Sequence, residues 1–175
     1  MKDARFTSVL EKSDNKVWGA HFRVPKRVAD GMAQGTSRRV VCTLNGAPEF
    51  QCAILPRGNG SFVITVNKQL RNALSLAFGS DLKIRLRKDT SAYGLPFPPE
   101  LRELLRQDPA GNRLFHALTP GRRRTLLYII GKTQDSGRRT DRSIIVITHL
   151  KSNAGKINYR QLNAALKDPR GTITR

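Results

Sequence analysis

The sequence predicts an α+β chain: a small β-barrel built from two ββαβ repeats, followed by a small all-α module. Three observations carry this. The first half repeats its pattern at an offset of 42 residues, so that Val24-Pro25-Lys26-Arg27-Val28 falls on Val66-Asn67-Lys68-Gln69-Leu70. At that offset Val28, Gly31, Met32 and Gly35 fall on Leu70, Ala73, Leu74 and Ala77, a helical stripe in both copies. Val40, Cys42 and Leu44 fall on Leu82, Ile84 and Leu86, an alternating strand face in both. A unit repeated in this way cannot bury its apolar face alone, and two copies interlocked close a barrel with few free edges.

Phe6–Leu10 and Val17–Val24 read as strands, the second with Trp18, Ala20, Phe22 and Val24 inward and His21 and Arg23 outward. Pro25 suits a first helical position, where its missing N–H would have no partner. The helix runs to about Gln34 and is followed by the strand Arg38–Leu44. Asn45-Gly46 signals a type I′ hairpin turn into Glu49–Leu55. After the turn Arg57-Gly58-Asn59-Gly60 come the strand Ser61–Val66, the helix Lys68–Leu76 and the strand Asp81–Lys88. Six main strands and two helices result.

The texture changes after residue 90. Tyr93-Gly94-Leu95-Pro96-Phe97-Pro98-Pro99 reads as a proline-stiffened linker over residues 91–98. Pro99, Asp108-Pro109 and Thr119-Pro120 then open helices over Glu100–Arg106, a stretch to Ala117 and Arg122–Lys132. Beyond a polar gap, Asp141–Ser152 and Tyr159–Lys167 are the last two helices. The expected organisation is a barrel domain at 1–90, the linker at 91–98, a helical domain at 99–168 and a tail at 169–175.

Charge narrows the partners. The 32 Lys and Arg against 13 Asp and Glu give +19. Through Lys88 the count is 16 basic and 6 acidic, and after it 16 and 7, so the excess is +10 and +9. Such a field favours polyanions: nucleic acid, an anionic membrane surface or an acidic protein. Arginines outnumber lysines, which suits forked contacts to phosphate or carboxylate. Arg122-Arg123-Arg124 is one cluster; Lys132, Arg138, Arg139 and Arg142 form another. These seven are the candidate anion- or nucleic-acid-binding residues. The alternative is that they fan into solvent or pair with Glu100, Glu103 or Asp108. Aromatic residues are few and no base-reading motif is present, so contacts to the phosphate backbone would dominate.

Other chemistry is thinly represented. A two-residue turn would pair Cys42 with Glu49 and Cys52 with Arg39, keeping the thiols apart as small apolar core groups. His21, His116 and His149 lack metal-ligand spacing; His21 is expected to be solvated, and His149 to sit at a helix end whose dipole favours its protonated form. No nucleophile triad, phosphate loop or dinucleotide fingerprint occurs. No catalytic residue, cofactor or metal is expected, although an enzyme acting on an anionic small molecule is an open alternative. The N-terminus lacks an apolar signal-peptide core, and the longest apolar runs, Leu126–Ile130 and Ile144–Ile147, are too short to span a bilayer. A reducing cytoplasm is the expected location.

Two resemblances cover most of the chain. Val24-Pro25-Lys26 and Val66-Asn67-Lys68-Gln69-Leu70-Arg71-Asn72-Ala73-Leu74, followed by Gly79 and Asp81, resemble the swapped-hairpin motif of AbrB-like double-split β-barrels. Leu44-Asn45-Gly46, Phe50 and Gly58-Asn59-Gly60-Ser61-Phe62 are similar to a domain-of-unknown-function family that carries this motif twice in one chain. Pro99-Glu100-Leu101, Arg123-Arg124, Tyr128-Ile129, Gly131-Lys132, Arg138, Arg142 and His149-Leu150-Lys151 resemble the bacteriocin-protection, YdeI/OmpD-associated family, a match continued by Gly155-Lys156-Ile157-Asn158-Tyr159. The Gly-Asp usual before the last barrel strand is interrupted here as Gly79-Ser80-Asp81, and Tyr128 stands where a Trp is common. The resemblance implies a bacterial protein whose barrel closes within one chain, hence a monomer or weak dimer. It also implies two roles: DNA binding, since the barrel class includes transcription factors, or protection against antimicrobial peptides. Neither family supplies catalytic residues to carry over.

Overall fold

A computed structural model describes residues 3–13, 19–33, 35 and 37–169. The chain divides into two compact units, Met1–Thr90 and Ser91–Arg175. The first contains β1 (Ala4–Val9), β2 (Glu11–Lys12), β3 (Ala20–Val24), α1 (Lys26–Met32), β4 (Arg39–Leu44), β5 (Phe50–Ala53), β6 (Leu55–Gly58), β7 (Ser61–Thr65), α2 (Lys68–Ala73) and β8 (Asp81–Lys88). They make two four-stranded antiparallel sheets, ordered β1-β8-β4-β5 and β2-β3-β7-β6. Alternation decides which side chains meet. Val40, Cys42 and Leu44 of β4 and Leu82, Ile84 and Leu86 of β8 turn inward and join Ala20, Phe22 and Ile64 in one core.

The pairing is two-fold symmetric. Exchanging the first four strands with the last four leaves both sheet orders unchanged. Phe22 pairs with Ile64 and Thr43 with Arg85, each residue facing its own counterpart 42 positions on. Leu10 N–H donates to Ser80 C=O and Ile54 N–H to Arg38 C=O, both at 3.0 Å. Leu10 and Ile54 are buried where the chain passes from one sheet to the other. That passage explains why eight strands are described where six are expected: β1–β2 and β5–β6 are each one extended run broken at the crossing.

Other expectations shift. The strand expected from Val17 is described from Ala20; Val17 and Trp18 lie outside the described residues, as does Gln34 at the expected end of α1. Helix α2 stops at Ala73, three residues early, because Ser75 takes φ +50° and Leu76 N–H reaches back to Arg71 C=O at 2.9 Å. This is a left-handed helix end. Met32 is buried and Val28, Leu70 and Leu74 pack on the core, but Gly31, Gly35, Ala73 and Ala77 are exposed; Ala29 is the buried helix residue the stripe omits.

The second unit holds α3 (Pro99–Gln107), α4 (Pro109–Ala117), α5 (Pro120–Gly131), α6 (Ser136–Ser152) and α7 (Tyr159–Lys167). Side-chain caps start four of them: Asp108 accepts from Gly111 N–H, Thr119 from Arg122, Asp135 from Arg138 and Asn158 from Gln161. Helix α6 begins five residues before the expected Asp141, because Asp135 caps a first turn with no apolar residue to reveal it. It packs against the other four helices, and its Ile145, Val146 and Leu150 share a core with Leu101, Phe115, Leu126, Ile130 and Leu162. Gly111 permits the close approach of α4 to α6; a Cβ there would collide with Ile147 Cγ2. The expected linker is no free spacer, since Tyr93, Leu95 and Phe97 pack on this helical core. Among the described residues no helix is long and apolar enough to cross a membrane.

Candidate functional site

The seven basic candidates divide into those that hold the helical unit together and those that do not. Arg139 grips Glu100 through two bonds, Nε–Oε2 at 2.9 Å and Nη2–Oε1 at 2.8 Å, with Ser136 Oγ adding a third to the same carboxylate. These bonds, Arg139 first, hold the Glu100 carboxyl down to about 2. Arg142 donates from Nη1 to Ile129 C=O at 2.9 Å, tying α6 to α5. Arg123 lies over the Tyr93 ring, 5.9 Å from its centroid. Cation, helix end and aromatic ring are there used for packing.

Arg122, Arg124, Lys132 and Arg138 differ. None has a carboxylate within 4 Å among the described residues. Arg124 and Tyr128 on α5 and Lys132 at its C-cap follow at four-residue spacing, so they lie along one side of the helix. Tyr128 is 62% exposed, an uncommon placing for an aromatic ring, and cations flank it on both sides. Arg138 is exposed in the first turn of α6. Such a strip can hold an anion by charge and offer a ring face beside it.

The histidines have structural employment. His21 is buried, against the expectation of a solvated residue, because Glu11 and Arg57 close over its strand face. Arg57 Nη1 donates to His21 Nε2 at 2.7 Å; since a guanidinium only donates, Nε2 is the acceptor and the ring proton sits on Nδ1. Glu11 is held below the usual carboxylate range chiefly by its bond from Arg23. His149 is buried, and burial pushes its pKa down, reversing the expected dipole-stabilised cation. Its Nε2 accepts the backbone N–H of Asn158 at 3.1 Å, joining the end of α6 to the cap of α7.

The thiols sit closer than the turn arithmetic indicates. Asn45-Gly46 makes the expected turn, with Ala47 N–H bonded to Leu44 C=O. One extra residue then enters at Pro48–Glu49 before the ladder resumes, so Cys42 pairs with Phe50 and Cys52 with Val40. Proline cannot donate to a ladder, which localises the slip. The slip brings both cysteines to the same face of the hairpin, on the diagonal. A hydrogen bond with Cys52, and burial, push the Cys42 thiol well up, so it is a poor nucleophile. Both cysteines are free.

Sequence reasoning missed a pocket of about 270 Å³ in the helical unit, bounded by Tyr93, Phe97, Arg102, Arg106 and His116. Only the i, i+4 pairs Arg102–Arg106 and Asn112–His116 signalled it, and the linker supplies its aromatic wall. His116 Nδ1 donates to Asn112 C=O at 3.0 Å, leaving Nε2 to accept from the Tyr93 hydroxyl at 2.9 Å. Arg106 is paired with Glu103, and Arg102 lies over Phe97. The polar groups are thus spent on one another. Among the described residues no cluster of His, Cys, Asp or Glu could hold a metal ion.

Comparison with protein families divides the chain in the same way. Residues 6–86 match the model of a domain of unknown function (DUF1905). Residues 95–153 match the model described as Bacteriocin-protection, YdeI or OmpD-Associated. No curated protein matches the chain.

Proposed function

We propose that this is a cytoplasmic, non-enzymatic protein that binds an anionic partner, nucleic acid first, through the cations of its helical domain that have no carboxylate within 4 Å among the described residues. The observation that carries the reading is the set Arg122, Arg124, Lys132 and Arg138, cations without an internal carboxylate among the described residues of a chain of charge +19. Four phosphate contacts make this a salt-sensitive, sequence-tolerant interaction. The test is a salt series of binding to short duplexes of unrelated sequence, run beside anionic vesicles. Duplexes should bind within about tenfold of one another and weaken steeply with salt. Absence of salt-sensitive binding to DNA or RNA at low ionic strength removes nucleic acid as the partner.

The family match over residues 95–153 favours a second reading, protection against bacteriocins or other antimicrobial peptides. Direct sequestration of cationic peptides is opposed by the charge of the protein itself. Protection would work through anionic lipid, competition for the peptides' targets or gene expression, and preferential binding to the vesicles would select it over nucleic acid.

For the first domain, the two-fold pairing supports a double-split barrel closed within one chain and therefore a monomer or weak dimer. Sedimentation at rising concentration tests this; a tight dimer exchanging sheet halves between chains would exclude it.

A further inference from the structure

The exposed face of the sheet β1-β8-β4-β5 carries an open groove of about 1000 Å³, and we propose that it is a binding site for a small phosphomonoester. Arg5, Lys83 and Arg85 would hold the phosphate, with the hydroxyls of Thr7 and Thr43 as additional donors. Strand alternation builds the site. Leu82, Ile84 and Leu86 are buried, so Lys83 and Arg85 between them turn outward; on β1, Arg5 and Thr7 flank the half-buried Phe6 in the same way. Register then gathers residues from three strands: Arg5 faces Arg85, Thr7 faces Lys83 and Thr43 faces Arg85 from the other side. With strands about 4.8 Å apart and same-face neighbours about 6.6 Å apart, the five side chains span a patch roughly 10 by 7 Å. That is the size of one phosphate with its first attached atoms.

Charge points the same way. Like charges directly opposite one another destabilise a sheet, and Arg5 opposite Arg85 is such a pair. Glu49 compensates part of it, accepting from Arg85 at 2.9 Å and Arg87 at 2.7 Å, while Asp3 lies 3.6 Å from Arg85. Arg5 and Lys83 have no carboxylate within 4 Å among the described residues. Counting Asp3 and Arg87, which pair with Arg85 and Glu49, the groove sets four cations against two carboxylates, an excess of two positive charges. A phosphomonoester, at about −1.5 to −2 near neutral pH and with three acceptor oxygens, matches that excess and that number of donors. Ala47 and Pro48 on the β4–β5 connection give the groove an apolar wall for the organic part of the ligand. The volume is at the upper end of small-molecule sites.

The site lies in the other domain from the cations proposed above to bind nucleic acid and stands or falls apart from them. Glycerol 3-phosphate titrated into the full chain, followed by amide NMR, should give saturable shifts at Thr7, Thr43, Lys83 and Arg85. Glycerol alone, and sodium chloride at matched ionic strength, should not. Arg5→Gln with Lys83→Gln should weaken binding at least about tenfold, whereas Arg113→Gln with Arg160→Gln, two exposed cations of the helical domain, should leave it unchanged. Without ligand, Arg5→Gln should melt no lower than the native chain, since it removes a like-charge pair. Shifts that track chloride equally, native affinity in the double variant, or a DNA duplex competing at these amides more tightly per phosphate would each overturn the assignment.

Discussion

The two domains carry nearly the same charge and deploy it in opposite ways. In the helical domain, basic residues that are neighbours in sequence are used differently: Arg139 goes to Glu100, Arg142 to the Ile129 carbonyl and Arg123 to Tyr93, while Arg122 and Arg124 have no carboxylate within 4 Å among the described residues. In the sheet domain, cations remote in sequence are brought together, Arg5 beside Lys83 and Arg85. The periods of the two structures explain this. Consecutive residues on a helix are rotated by about 100°, so an arginine run fans around the axis. Every second residue on a strand shares a face, so Lys83, Arg85 and Arg87 form a row and register adds a second row beside it. A basic run in sequence is therefore a weak guide to a basic site in a helical region, while isolated cations on alternating strands are underrated.

The largest expected effects test whether each domain rests on its own core. Phe22→Ala and Phe115→Ala each empty a fully buried site and should cost about 3–5 kcal/mol. Amide exchange should rise around β3 and β7 for the first and around α4 and α6 for the second. Loss of protection in the wrong core would break the division into two units. A smaller effect sharpens the contrast in packing. Gly111→Ala should destabilise the helical domain by about 1–3 kcal/mol through overpacking against Ile147. Gly31→Ala, with open space around it in α1, should stabilise the sheet domain by about 0.4–1 kcal/mol. Chemical denaturation of each variant reads both.

Acid should separate inward-turned charge from outward-turned charge. Glu100 is held at about 2 against an ordinary 4.5, so its contribution to stability is complete above pH 4.5 and is lost as pH falls through 2. Glu103 is depressed by Arg106, but both side chains are more than half exposed and solvent screens the pair. Glu100→Gln should therefore lower the melting temperature at neutral pH by several degrees and flatten its acid dependence, while Glu103→Gln changes little. Equal effects from the two would mean that burial of the Glu100–Arg139 pair contributes nothing.

The architecture was legible because it was written twice. Repeated alternation at Val40–Leu44 and Leu82–Leu86 announces paired strands, and the self-facing pairs Phe22–Ile64 and Thr43–Arg85 are what a symmetric arrangement of two copies requires. Prolines and cap residues marked the starts of α3, α4 and α5, whereas the capped start of α6 at Asp135 was passed over because its first turn is entirely polar. What could not be read was contact across elements. Nothing local tells that Arg139 meets Glu100, that Arg57 covers His21, or that one residue inserted at Pro48–Glu49 moves both thiols to one face. The sheet groove was invisible for the same reason: its cations are 78 and 80 positions apart, Arg5 to Lys83 and Arg5 to Arg85, and only the register of β1 on β8 joins them.

The unequal use of charge is tested most directly by the salt dependence of duplex binding in three proteins: the native chain, the helical quadruple variant Arg122→Ala, Arg124→Ala, Lys132→Ala, Arg138→Ala, and the sheet double variant Arg5→Gln, Lys83→Gln. All seven basic candidates acting as one cluster would give a slope of log K against log salt of about −6, whereas four available cations give about −3.6. The native chain and the sheet variant should both show a slope near −3.6, and the quadruple variant a slope close to zero with little residual affinity. A native slope near −6, or a quadruple variant that keeps the native slope, would contradict the assignment of Arg139, Arg142 and Arg123 to contacts within the helical domain and of the remaining four to the partner.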